Sequence, residues 1–192
     1  RLWVAYEDYG QDVNIGEEIF QRVTETYRRI RNTTRFMLGN ISGFNPETDY
    51  VSYEDLDVLD KWALGRLNEL IKKCTDAYES YDFYKVYHAL NIFFTVDLSA
   101  RYLDILKDRL YVESKKSHLR KSSQTVLFEI LSHTSKLMAP ILSFLAEEVN
   151  EYLPSEKKGS VFLEKIPSQK SEWSEDSIAQ DYEKLFEVRS II

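Results

Sequence analysis

Arg28, Arg31 and Arg35 are spaced by three and four residues, the spacing that aligns side chains along one flank of an α-helix. Guanidinium groups carry planar paired donors that match phosphate oxygens, so a helical row of them can track a sugar–phosphate backbone. Asn32 lies beside the row, and its amide could meet an unpaired base. The chemistry on offer is anion binding. The same side chains would also serve as a solvated face, or as partners for the acids of residues 44–60. A second basic stretch runs from Arg101 to Lys121, with seven bases against Asp104, Asp108 and Glu113. Lys107 and Arg109 are its candidate phosphate contacts. Arg101, Asp104 and Asp108 have the spacing of an intrahelical ion-pair network.

The inventory for catalysis is poor. The sequence holds no G-x-G-x-x-G, P-loop, G-x-S-x-G or H-E-x-x-H pattern. His88 sits in an aromatic-rich helical pattern and reads as an ordinary packed or surface histidine. Cys74 follows Lys72 and Lys73, which could depress a thiol, but a plain helix thiol is the simpler reading. One Cys and three His at no ligand-like spacing argue against a structural zinc site. The 13 Tyr, 10 Phe and 3 Trp could stack on unpaired bases, yet a bundle of this size needs most of them inside. Trp62 and the set Tyr78, Tyr81 and Tyr84 are the aromatics to inspect for exposure, with core packing expected for each.

The arginine row needs a helix to hold it. With Val23 at zero and about 100° per residue, Ile19, Phe20, Val23, Tyr27, Ile30, Thr34, Met37 and Leu38 fall within about 60° of one direction. That predicts an amphipathic helix from Glu17 to Asn40, acidic in its first turn. On the same wheel Arg31 lies near 80°, Arg35 near 120°, Arg28 near 140° and Asn32 near 180°. Arg22 and Arg29 take the other flank. Ser42-Gly43 and Asn45-Pro46 mark a loop. A second helix is expected from about Asp55 to Ser80. A third helical stretch runs from Phe83 to Val112, with a break expected near Thr95-Val96-Asp97. Further helices are expected over Ser117–Met138 and Ile141–Leu153, separated at Pro140. Ser160–Glu164 reads as a short extended segment, and a last helix begins near Ser174. The fold class is all-α: an antiparallel bundle of four to five main helices with a short extended segment and a C-terminal helix.

At 192 residues, 43% of them hydrophobic, the chain can build one sizeable core. No apolar run approaches the roughly 20 residues of a bilayer span, so no membrane association is expected. The net charge of −7 argues against nucleic-acid binding on average, but the charges are segregated. Residues 44–60 hold six acids and no base, whereas Arg22–Arg35 holds five arginines against Glu25. The first residue is Arg1, and the sequence reads as part of something larger.

Several segments resemble one family. Tyr27 through Asn40, reading YRRIRNTTRFMLGN, is similar to the first bundle helix of the isoleucyl-tRNA synthetases, a class Ia aminoacyl-tRNA synthetase family. Lys107-Asp108-Arg109-Leu110-Tyr111 resembles their K-D-R-L-Y motif. Gln124–Leu127 and Met138–Glu148 resemble later bundle helices, and Arg1–Val4 and Ser160–Leu163 resemble the flanking segments. The ordered set covers nearly the whole chain. Three positions depart from the pattern: Thr34 replaces a Leu, Ser143 a Pro, and Asn150 an aromatic.

The resemblance implies a tRNA anticodon-binding bundle. Residues 1–15 would leave a catalytic domain, 16–154 would form the bundle, and 155–192 would be a C-terminal appendage with a short strand and the start of a further helix. The implied partners are tRNA(Ile) and the remainder of the synthetase chain, and the implied location is the cytoplasm. The parent enzyme would use ATP and Mg; H-I-G-H and K-M-S-K-S signatures are absent here, so this stretch is expected to need no cofactor and to catalyse nothing itself. Arg28, Arg31, Asn32 and Arg35, with Lys107 and Arg109, are the candidate nucleic-acid-binding residues. The alternative is a docking module of the synthetase whose basic stripes serve packing and which has little RNA affinity of its own.

Overall fold

The computed structural model describes residues 1–154, 159–174 and 176–191. Helices α1 (Leu2–Tyr6), α2 (Glu17–Asn40), α3 (Val58–Glu79) and α4 (Phe83–Ile92) come first. A π-helical segment (Phe93–Tyr102) then leads directly into α5 (Leu103–Val112). Helices α6 (His118–Met138), α7 (Ser143–Tyr152) and α8 (Asp176–Ile191) complete the chain. No strand occurs among the described residues. The extended segment expected at Ser160–Glu164 is a single 3-10 turn, Val161–Leu163. Ser160 and Glu164 keep extended backbone on either side, and the Ser160 hydroxyl accepts from the Phe162 amide.

Helix α2 has the predicted bounds, with Glu17 and Glu18 in its first turn. Its buried side is turned from the predicted one. Val23, Thr26, Ile30, Thr33, Thr34 and Met37 are buried, whereas Phe20 and Tyr27 are 43% and 39% exposed. On the helical wheel this moves the buried direction by about 30°, away from the arginine flank. The cause is polar. The Thr26 hydroxyl accepts from the Tyr87 hydroxyl on α4 at 2.9 Å, and Thr33 Oγ1 shares a hydrogen bond with Ser99 Oγ at 2.8 Å. A wheel counted on apolar residues alone does not see threonines that are buried because they are hydrogen-bonded.

The third helical stretch does not break at Thr95–Asp97; it widens. The π segment absorbs the β-branched Thr95 and Val96 without ending the run. The Thr95 hydroxyl donates to the Asn91 carbonyl, and Ser99 Oγ donates to the Phe94 carbonyl. Asp57 caps α3 by accepting from the Leu59 amide at 3.1 Å. The Ser52 hydroxyl donates to Asp55 at 2.8 Å across a 3-10 turn, Tyr53–Asp55, that lies ahead of α3.

One hydrophobic cluster runs from Ala5 to Phe186. Helix α3 is its axis, packing on α4, α6, the π segment and α8. Trp62, expected in the core, is 2% exposed, and Tyr182 and Phe186 of α8 lie against it. Residues 170–174 are anchored to α3 and α6. Trp173 is 2% exposed and meets the His133 ring edge-on. Lys170 lies 4.1 Å over the Trp173 ring. The Asn68 side chain on α3 takes the Lys170 amide and donates to the Lys170 carbonyl and to Ser174.

The departures at α7 have local explanations. Ser143 begins α7, donates to the Ala139 carbonyl at 3.0 Å and accepts from Arg1. Asn150 donates to the Gly159 carbonyl at 2.9 Å, and Glu147 accepts from the Ser160 hydroxyl and the Val161 amide. The side chains of α7 thereby hold the segment that follows it. Thr34 is 1% exposed and its hydroxyl has no hydrogen-bond partner.

Candidate nucleic-acid interface

The rotation of α2 decides how its arginines stand. Arg28 and Arg35 are exposed, as is Asn32, while Arg31 is half-buried. Arg28 reaches Glu25 on its own helix at 3.4 Å, with 67% of its side chain exposed. Arg31 faces Glu148 of α7 at 4.0 Å, beyond hydrogen-bond reach. Arg35 has no ion-pair partner among the described residues. None of the three arginines pairs with the acids of residues 44–60. Those acids look elsewhere: Asp49 to Lys121 at 2.7 Å, and Asp57 and Asp60 to Arg109. On the other flank Arg29 is paired with Glu25 at 3.2 Å.

Exposed ion pairs of this kind are worth at most about 1 kcal/mol. Phosphate can displace them with little loss. Beside the row, the C-terminal ends of α2 and α7 enclose a cleft of about 530 Å³, lined among others by Arg35, Leu38, Glu148 and Tyr152. Phe144 on α7 is 92% exposed and Tyr152 66%. The surface therefore joins a cationic row to exposed aromatic rings.

Arg109 is a correction. It is not a free phosphate contact, because it turns inward. Its Nη2 donates to Asp57 at 2.8 Å and its Nη1 lies 3.6 Å from Asp60, which is fully buried. Asp60 also accepts from the hydroxyls of Tyr102 and Ser122, each at 2.6 Å. Burial pushes the Asp60 carboxyl above its usual range, against the pull of those hydroxyls and of Arg109. Arg109 thus ties α5 to the start of α3 through a buried polar knot. Apolar periodicity gives no sign of it; the only sequence trace is an acid in the first turn of α3, where the helix dipole already explains one.

Lys107 remains 56% exposed and pairs with Asp104 on its own helix at 2.9 Å. Helix α5 packs mainly on α6 and the π segment rather than on α2, so Lys107 is not brought to the arginine row. The expected Arg101–Asp104–Asp108 network is not formed. Arg101 pairs with Asp97 and with Glu183 of α8, while Asp104 pairs with Lys107 and Arg189. Each keeps a different neighbour one turn away, Asp97 or Lys107, and takes a second partner from α8.

Of the four aromatics singled out, Trp62 is in the core and Tyr78 is largely covered, donating to the Leu137 carbonyl. Tyr84 is half-buried. Tyr81 departs from the core expectation at 67% exposed, in a turn where its φ is +61°. Cys74 is buried at 0% exposure, and burial pushes its thiol up to about 12, opposite to an activated nucleophile. His88 packs its ring on Tyr6 and Tyr87, and burial lowers its pKa. No helix among the described residues is long and apolar enough to cross a membrane.

The described residues thus form a helical bundle that displays a loosely paired cationic row beside exposed aromatics. Residues 60–192 match the family of anticodon-binding domains of tRNA ligases, and the chain belongs to that family. Its similarity to isoleucine–tRNA ligases extends over essentially its whole length. It is 48% identical over 190 residues to the enzyme of Petrotoga mobilis, covering 98% of this chain and 21% of that one. Identity is 49% over 195 residues with the enzyme of a Sulfurihydrogenibium species, and 48% over 191 residues with that of Thermotoga petrophila. These cover 100% and 98% of this chain, and 21% of each relative. The chain spans about a fifth of the length of these relatives.

Proposed function

We propose that the face made by α2 and α7 grips the anticodon stem-loop of an isoleucine tRNA on behalf of an isoleucine–tRNA ligase. Arg28, Arg31 and Arg35 position phosphates, Asn32 meets a base edge, and Lys107 makes a separate, peripheral phosphate contact. Arg109 drops out of the binding set and becomes a structural residue. What supports this reading is the exposed arginine row, with Arg35 uncommitted, on a member of the anticodon-binding family. The chain's negative average does not oppose it, because Arg22–Arg35 carries five arginines against one acid and charges farther than about 10 Å away are screened at ordinary salt.

Aminoacylation itself is assigned to no residue of this chain. ATP and Mg²⁺ would be held elsewhere in such a ligase, which would act in the cytoplasm. The rest of that ligase would meet this chain at the α1 end. There Val4 is 66% exposed, Ile15 70% and Phe20 43%.

The test is titration of isoleucine tRNA and a non-cognate tRNA at two salt concentrations, with the Arg28→Ala/Arg35→Ala variant alongside. Each lost phosphate contact on single-stranded RNA reduces the salt slope by about 0.7. The double variant should therefore lose roughly 1.4 of slope and bind more weakly to both tRNAs. An unchanged slope would remove α2 from the interface and leave the docking-module reading in its place.

A further inference from the structure

The turn between α3 and α4 holds the only non-glycine residue with positive φ among the described residues, Tyr81 at +61°. Helix α3 ends there in a closed cap. The Asp82 amide donates to the Ala77 carbonyl at 2.8 Å, and the Tyr81 amide to the Tyr78 carbonyl at 3.2 Å. That pair of bonds puts the left-handed residue of the cap at Tyr81. Glycine is the usual residue there, because a Cβ crowds the backbone at positive φ. Further bonds lock the turn. The Ser80 hydroxyl donates to Asp82 at 2.9 Å, Lys85 donates to Asp82 at 2.6 Å, and the Tyr9 hydroxyl donates to the Tyr81 carbonyl at 3.2 Å.

None of these bonds uses the Tyr81 side chain. Its ring is 67% exposed and meets Phe83 edge-on at 6.3 Å, and its hydroxyl makes no hydrogen bond among the described residues. So little gain inside the chain does not account for a bulky residue in a glycine's conformation. Strain of this kind gathers at positions that function requires. Tyr81 does not stand alone: Tyr9 is 66% exposed and Phe83 38%. The three rings lie at the α1 end of the bundle, where Tyr6 packs on Tyr87 and His88 of α4, so they continue the exposed apolar face of Val4, Ile15 and Phe20. Residues 76–85 carry Asp76, Glu79 and Asp82 against Lys85 alone, a balance that repels phosphate and favours a protein surface. The ligases that this chain resembles are about five times its length, so such a surface is at hand in the same polypeptide.

We propose that Tyr81, with Tyr9 and Phe83, forms an aromatic platform against which the remainder of the ligase chain packs, and that Tyr81 is its anchor. Tyrosine is enriched among the few residues that dominate an interface. The proposal rests on the reading that the rest of the ligase meets this chain at the α1 end, and it names the positioning residue there.

The test compares Tyr81→Gly, Tyr81→Ala and Tyr81→Phe. In the chain alone, which has its own core, Tyr81→Gly relieves the backbone and should raise Tm by about 2–4 °C; Tyr81→Ala keeps the strain and should give no such rise. In a whole isoleucine–tRNA ligase containing this chain, both variants should behave alike. Limited proteolysis between the bundle and the rest should quicken at least fivefold, and kcat/KM for charging tRNA should fall at least fivefold, while amino-acid activation measured by pyrophosphate exchange without tRNA stays unchanged. Tyr81→Phe keeps the ring and should match the parent in every readout. A lower Tm for Tyr81→Gly would assign the ring to this fold and overturn the anchor. So would a reduced salt slope for tRNA, which would place the turn on RNA, or the loss of a dimer of the free chain, which would place it on a second copy. Val4→Asp separates the two readings: if it quickens proteolysis of the ligase and Tyr81→Gly does not, the anchor falls and the α1-end reading stands; if neither does, both fall.

Discussion

Replacing Arg109 with alanine separates a structural arginine from a phosphate-binding one. Its side chain is 21% exposed, lies 2.8 Å from Asp57 and stands 3.6 Å from the fully buried Asp60. At an effective dielectric near 20, a charge pair 3.6 Å apart attracts by roughly 4–5 kcal/mol before solvation is counted. Breaking a buried pair by removing one partner costs about 3–5 kcal/mol. Asp60 keeps the hydroxyls of Tyr102 and Ser122, which softens the loss toward about 3 kcal/mol. In a chain of this size that lowers Tm by about 6–12 °C.

The loss has a pH signature. The Asp60 carboxyl is already raised by burial, and without Arg109 it rises further. A carboxyl with a raised folded pKa stabilises most when protonated, and that contribution fades as pH climbs through the folded value. The Arg109→Ala deficit should therefore be largest near neutrality and shrink on acidification toward the usual carboxylate range. Urea denaturation followed by circular dichroism at pH 7 and pH 5 measures both quantities. Adding Asp60→Asn to the variant should recover part of the loss at pH 7. In the folded variant the salt slope for tRNA should be unchanged. A loss below 1 kcal/mol with a reduced salt slope would refute the reasoning and return Arg109 to the RNA.

Three further outcomes follow from burial. Trp173→Ala should cost about 3–5 kcal/mol and unfold the protein in one transition with the helices; an early transition of the C-terminal residues alone in a denaturation curve would contradict the single core. Cys74 should resist alkylation in native buffer and react only at the rate of unfolding, which a thiol-reagent time course in increasing urea checks. His133, buried against Trp173, has its pKa lowered by that burial. The unfolded chain takes its proton first as pH drops, so stability falls through the region below about 6.5, and His133→Gln should flatten that part of the stability–pH curve relative to the parent.

The fold was legible wherever apolar periodicity was the cause. Helix α2 and the stretch ending at Met138 follow from spacing, and Pro140 marks the break before α7. Polar burial was not legible. Thr26 and Thr33 turn α2 because Tyr87 and Ser99 bond to them, and Asp60 is buried because Tyr102, Ser122 and Arg109 surround it. Those partners lie 42 to 66 residues away in the sequence. For Arg101 and Asp104 the partners one turn away are Asp97 and Lys107 rather than each other, and the second partner of each, on α8, is more than 80 residues distant. For the candidate site, the row Arg28–Arg31–Arg35 could be read from the helical wheel. The cleft could not, because Glu148 and Tyr152 reach it only through the packing of α7 on α2.

The widened segment from Phe93 to Tyr102 gives the chain a place to change length. A π turn spans five residues where an α turn spans four, so this stretch holds surplus chain relative to a straight α path. Losing one residue there lets the run tighten to α while α4 and α5 keep their faces toward the core. The same deletion in α3 or α6 would turn everything beyond it by about 100° and bring polar residues inward. In a lineage tracking insertions and deletions, gaps in this bundle should collect between residues 93 and 102, where the ladder has slack.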